Sequence, residues 1–193
     1  MTKTVWKIVR VGLLLGGSLP WLMSGVSVAD DDEHERRGKT EKSQGQLDVA
    51  PVTHEKYKQE CGSCHFPYQP GLLPSRSWHA LLANLDDHFG ENAELSAAVL
   101  KELGDYLDKN AAEHASEKRA VGINRSLGAQ ETPLRLTTTT YFKRKHHEIT
   151  AKMVQDNPQV KSFSHCETCH TQAAQGSYNE HDVIIPGFGP WKD

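Results

Sequence analysis

Spare cysteine is absent from this chain. All four cysteines fall inside two copies of one pentapeptide, Cys61-Gly62-Ser63-Cys64-His65 and Cys166-Glu167-Thr168-Cys169-His170. Methionine is nearly as scarce. Of the three present, Met1 and Met23 fall within residues 1–29, which leaves Met153 alone in the rest of the chain. Aromatic residues make up 7% and hydrophobic residues 37%, little for a chain that must build its own core. A glycine-rich nucleotide loop, a serine-nucleophile motif and a zinc-protease helix are all missing, so no constellation for catalysis by the polypeptide itself stands out. No stretch reads as a convincing strand, and the expected class is all-α with little or no β structure.

The repeated pentapeptide supplies what the composition lacks. Cys-x-x-Cys-His reads as a covalent c-type haem attachment site. Two thiols at this spacing add across the two vinyl groups of one porphyrin, and the next histidine reaches the iron. Cys61, Cys64, Cys166 and Cys169 are therefore the expected attachment points, and His65 and His170 the expected proximal ligands. A four-thiolate zinc site, a thioredoxin-like redox pair or structural disulfides would each leave the two histidines unexplained. Two covalently attached haem c groups would fill the missing apolar volume, so the fold is expected to depend on them.

Residues 1–29 carry Lys3, Lys7 and Arg10, a mainly apolar stretch and the small-residue ending Ser27-Val28-Ala29. This pattern is a secretory signal peptide with a cut after Ala29. The alternative is an uncleaved membrane anchor, since the apolar run approaches a bilayer span in length; Pro20 and several glycines weaken it as a helix. With no cysteine near the cut and no Arg-Arg pair before the run, a lipid-anchored form and the twin-arginine route are both disfavoured. Residues 30–50 are polar and of mixed charge and read as a disordered linker. The formal net charge is −3. Loss of the signal removes three basic residues and no acidic one, making the exported chain more acidic still. Such a surface suits transient docking to basic patches and argues against nucleic acid or anionic lipid as main partner.

The remainder divides into a first haem region at 51–112, a connector at 113–140 and a second haem region at 141–193. Helices are expected from about Thr53 into the first motif, from an N-cap at Ser75 to Gly90, from about Ser96, and from about Tyr141 to Gln155. Three prolines, Pro67, Pro70 and Pro74, keep the intervening loop non-helical.

The sixth ligand of each iron decides its chemistry. With Met153 the single methionine left, at most one haem is His/Met ligated. For the first haem the candidates are His54, His79, His88 and His114. His88 is favoured because it shares an apolar stripe with Leu85. For the second they are His146, His147, Met153 and His181, with His165 too close to Cys166 to reach that iron. Phe142, His146, Ile149 and Met153 recur at helical steps and favour His146, while His147 is rotated by about 100°. His88 follows His65 by 23 residues, and His146 precedes His170 by 24.

The segments Leu73-Pro74-Ser75-Arg76-Ser77-Trp78, Asp87-His88-Phe89-Gly90-Glu91-Asn92-Ala93, His146-His147-Glu148-Ile149 and Ile185-Pro186-Gly187-Phe188 together resemble the small bacterial periplasmic dihaem cytochrome c family. The resemblance runs from about Tyr57 to Phe188. It implies bis-histidine haems, a first half like a class I cytochrome c, and distal histidines at His88 and His146, with His147 one residue from the latter. It also implies electron shuttling in the periplasm, with a membrane b-type cytochrome or a soluble haem protein as partner. The expected function is thus electron transfer through two low-potential haems, without a small-molecule substrate. A haem enzyme or gas binder with one five-coordinate iron, and an electron-donor subunit of a periplasmic reductase, are the alternatives.

Overall fold

The computed structural model describes residues 47–192. The signal peptide and most of the linker lie outside the described residues. Among the described residues, six α-helices and short 3₁₀ turns account for most of the regular structure: α1 (Glu55–Cys61), α2 (Ser75–Leu82), α3 (Ala97–Lys109), α4 (Lys118–Ser126), α5 (Thr140–Lys145) and α6 (Cys166–Cys169). A two-stranded antiparallel ribbon, β1 (Ile184–Ile185) and β2 (Gly189–Pro190), closes the chain, with Ile184 opposite Pro190 and Ile185 opposite Gly189. Among the described residues no helix is long and apolar enough to cross a membrane.

Each attachment motif begins on a helix that ends almost at once. His54 caps α1, its Nδ1 accepting from the Tyr57 N–H at 3.3 Å. The helix stops at Gly62, whose N–H bonds Lys58 O at 2.9 Å. A Cβ at position 62 would run into that same carbonyl oxygen, so the residue between Cys61 and Ser63 has to be glycine. In the second motif α6 is the first four residues of the pentapeptide, and His170 caps it.

Three expectations from the sequence need correction. Ser75 is the first helical residue of α2 and not its cap. Pro74 holds the cap position without a side-chain bond, and the Ser75 N–H is taken instead by the Glu113 carboxylate at 3.0 Å. The same helix ends at Leu82, well short of Gly90. Polar side chains take over the backbone there: Asn84 Nδ2 donates to Asp87 O at 3.0 Å, and Asp87 Oδ1 accepts from the Gly90 N–H at 3.0 Å. Finally, α5 ends at Lys145 and is followed only by a 3₁₀ turn at Ala151–Met153. His146 and His147 turn their Nδ1 atoms back onto Phe142 O and Arg144 O, both at 3.0 Å, and so close the helix.

The core has two parts. In one, α2 packs on α3, burying Trp78, Leu103 and Leu107 with Tyr57 and Leu73. The Trp78 indole donates to Pro70 O at 2.8 Å and Leu73 O at 3.1 Å, which fastens the proline loop to this core. In the other, Ala120 and Ile123 of α4 meet Leu72 and Val49. Val49 is 0% exposed, although its position falls in the linker expected to be disordered. The Asp48 and Val49 N–H groups both bond Gly176 O, at 3.0 and 3.1 Å. Gly176 adopts a left-handed φ of 82°, and a Cβ there would meet the Val49 carbonyl.

Candidate functional site

The structure brings each motif histidine to one of the histidines singled out from the sequence. The rings of His65 and His88 lie with centroids 6.2 Å apart and planes 18° apart. Those of His146 and His170 are 6.0 Å apart with planes at 79°. Two metal–nitrogen bonds of about 2 Å each, plus the two ring radii, come to about 6 Å between centroids. Both pairs are therefore spaced to hold one iron between them.

In the first pair, His65 Nδ1 lies 2.7 Å from Phe66 O, which fixes the proton there and leaves Nε2 free. His88 sits on the loop after α2, where its N–H donates to Glu91 O at 2.8 Å and its carbonyl accepts from the Glu91 N–H at 3.4 Å. Phe89, next in the chain, has a φ of 60°, a left-handed conformation costly for a bulky side chain. Its ring is half-exposed and covered by the Arg135 guanidinium at 3.7 Å. The distal loop is thus a tight turn clamped from outside by the connector.

The second pair faces a cavity of about 420 Å³ lined by Phe142, His146, Phe163, Cys166, Cys169 and His170. His146 stacks on Phe142 at 3.9 Å and meets Phe163 edge-on at 5.8 Å. His170 lies 5.2 Å from the Tyr178 ring, and its buried Nδ1 has no hydrogen-bond partner. Asp48 and Arg119 flank this side, paired at 2.9 Å, and both hold the Tyr178 backbone: its N–H donates to Asp48 Oδ2 at 2.7 Å and its carbonyl accepts from Arg119 at 2.8 Å.

The other sequence candidates are occupied elsewhere. His54 caps α1 and lies 3.3 Å from Glu102; His79 pairs with Asp108 at 3.3 Å. The His147 side chain is 71% exposed. His165 turns its Nδ1 to Val160 O at 2.7 Å, and His114 and His181 are exposed. Met153 is half-buried on its short turn.

Electrostatics agree with ligation by neutral imidazole. Burial first, then the neighbouring His146 ring and the Arg119 charge, hold His170 down to about 4. Burial likewise lowers His88 and His146. Iron needs the unprotonated nitrogen that this provides. The thiols are shifted the other way. Burial first, then Glu60, pushes Cys61 up to about 11, and burial, then Glu167, pushes Cys166 up to about 12. These are protonated thiols rather than the reactive thiolates of a redox pair. Among the described residues no three His, Cys, Asp or Glu side chains gather to hold a bare metal ion, so the four cysteines do not converge as a zinc site requires.

Sequence reasoning missed the junction between the two sites. Tyr68 lies 5.4 Å from the His65 ring, and its hydroxyl donates to Ser164 O at 2.6 Å, just ahead of the second motif. Gln69, 0% exposed, donates to Ala173 O at 2.5 Å and accepts from the Tyr178 hydroxyl at 2.7 Å. Two adjacent residues following the first motif thus grip both flanks of the second. Nothing in the spacing of Tyr68-Gln69 signals this; only burial of the glutamine does.

The family description "Dihaem cytochrome c" matches residues 57–178. The chain belongs to the dihaem cytochrome c family. It is similar to the solved diheme cytochrome type c from Shewanella baltica OS155, at 41% identity, covering 72% of this chain and 97% of that one with a TM-score of 0.59. It is also similar to a diheme cytochrome c from Rhodobacter sphaeroides, at 40% identity over 67% of this chain and 100% of that one, with a TM-score of 0.60. No curated protein matches the chain. As a dihaem cytochrome c it carries two covalently bound haem c groups in a mainly helical fold.

Proposed function

We propose that this dihaem cytochrome is a periplasmic electron carrier whose two irons are each ligated by two histidines. The observation that carries the reading is the pair of histidine couples at 6.2 and 6.0 Å, each containing one motif histidine. Cys61 and Cys64 tether the first haem, held between His65 and His88. Cys166 and Cys169 tether the second, held between His170 and His146. Haem supplies one-electron chemistry when bound. The chain orients the imidazoles, fixes the protons of His65 and His146 on Nδ1 through backbone carbonyls, and excludes water with Phe142 and Phe163.

With a strong ligand above and below, neither iron keeps an open position for a substrate, and lack of methionine ligation keeps both potentials low. The carrier reading is therefore supported over an enzyme or gas binder. Export by the signal peptide at 1–29 places the protein in the periplasm, where it exchanges electrons with another redox protein such as a membrane b-type cytochrome or a soluble haem protein. Carbon monoxide added to the reduced holoprotein tests this. An unchanged spectrum is the expected result, and stoichiometric binding at one haem would favour the five-coordinate alternative.

A further inference from the structure

The two distal histidines sit in surfaces of opposite charge. Around His88 the exposed charged side chains are Asp86, Asp87, Glu91 and Glu94, against one cation, Arg135, over the Phe89 ring. Immediately before His146, the last turn of α5 presents Lys143, Arg144 and Lys145, all exposed. None of these three pairs with a carboxylate among the described residues; Arg144 is instead placed over the Tyr141 ring at 5.5 Å. Cations at a helix C-terminus complement its dipole, but three in a row on a six-residue helix exceed that need. In a chain of net charge −3, they form a local cationic face.

We propose that the Lys143-Arg144-Lys145 face is the docking surface for an acidic redox protein that exchanges electrons with the second haem. The proposal rests on the electron-carrier reading above and adds which end of the molecule receives which kind of partner. The next residue in the chain, His146, is the distal histidine of the second site, stacked on Phe142 at 3.9 Å. A partner held here by complementary charge is thereby set at that site's edge. Three charges fall below the about four to eight clustered basic residues typical of an anionic-membrane site, so a protein partner is favoured over a lipid surface. Each productive encounter moves one electron from the ferrous second site to the oxidised partner, leaving that site ferric, with no bond made or broken.

The test uses reduced holoprotein in stopped-flow, reoxidised by an oxidised acidic blue-copper protein and separately by a basic monohaem cytochrome c, across ionic strength. Lys143→Glu/Lys145→Glu is compared with Lys101→Glu/Lys109→Glu on exposed positions of α3, which carries the same change in net charge. At low salt the α5 pair should slow oxidation by the acidic partner by about tenfold and flatten its salt dependence, while the α3 pair changes it by less than about twofold. Equal effects of the two pairs would overturn the proposal. So would unchanged rates with a shifted potential at the second haem, which would assign the cations to the haem's own carboxylates. Loss of binding to phosphatidylserine vesicles with unchanged rates would assign the face to a membrane and likewise overturn it. A wild-type protein inert to both oxidants would sink the electron-carrier reading itself.

Discussion

Around His65 and His88 the chain offers an open loop built from backbone pairing, a left-handed Phe89 and an arginine lid. Around His146 and His170 it offers a cavity walled by aromatic rings, in which burial holds His170 down to about 4. The same pentapeptide thus anchors two different environments. Local geometry positions His88; burial positions His146. A shared attachment chemistry does not impose a shared dielectric, and under the proposed bis-histidine ligation dielectric is what would separate the two irons.

The sharpest break of this comparison is to remove one distal ligand at a time. His88→Ala and His146→Ala should each open one iron, giving a high-spin signal and carbon monoxide binding at that haem alone. Optical spectra of the two reduced variants check this. Binding at both haems after a single substitution would mean that the sites are not independent.

Next in size is the junction. Gln69→Leu strips partners from the Tyr178 hydroxyl and the Ala173 carbonyl, both buried by the second site. Thermal or denaturant unfolding should show a loss of about 2–4 kcal/mol, with the second haem's spectrum disturbed more than the first. A neutral substitution would mean that the two sites are joined elsewhere.

The comparison also sets an order of potentials. Burial disfavours the charged ferric state, and an unpartnered His170 Nδ1 makes a weaker donor than His65, whose Nδ1 bonds Phe66 O at 2.7 Å. The second haem should therefore accept the first electron, at a potential higher by about 60 mV, one decade for a one-electron couple. Redox titration of wild type and the two histidine variants assigns the couples. The smallest effect is expected from Arg135→Ala. It removes a cation–π contact of about 0.5–1 kcal/mol and a positive charge facing His88, so the first potential should fall slightly while the second stays in place.

Much of this was legible in the residues, though not always for the reason given. The helical class and a helix beginning near Ser96 follow from side-chain identity and appear in the structure, where Ser96 caps α3. The helical stripes that point to His88 and His146 break off early, because α2 and α5 both stop short; of them the Phe142–His146 step survives, the two rings stacked at 3.9 Å. What ends them is local competition by Asn84, Asp87 and the histidines themselves, which periodicity does not register. Asp48 and Val49 read as linker because their neighbours are polar. Their role depends on Gly176 and Arg119, distant in the chain, and contacts of that range leave no mark in a window of sequence.

Low-temperature electron paramagnetic resonance of the oxidised holoprotein tests the central claim most directly. Imidazole planes 18° apart at one iron and 79° apart at the other predict two low-spin ferric signals of distinct anisotropy. The near-perpendicular pair should give the more anisotropic one. A high-spin ferric signal in the resting protein, or two indistinguishable low-spin signals, would contradict the account.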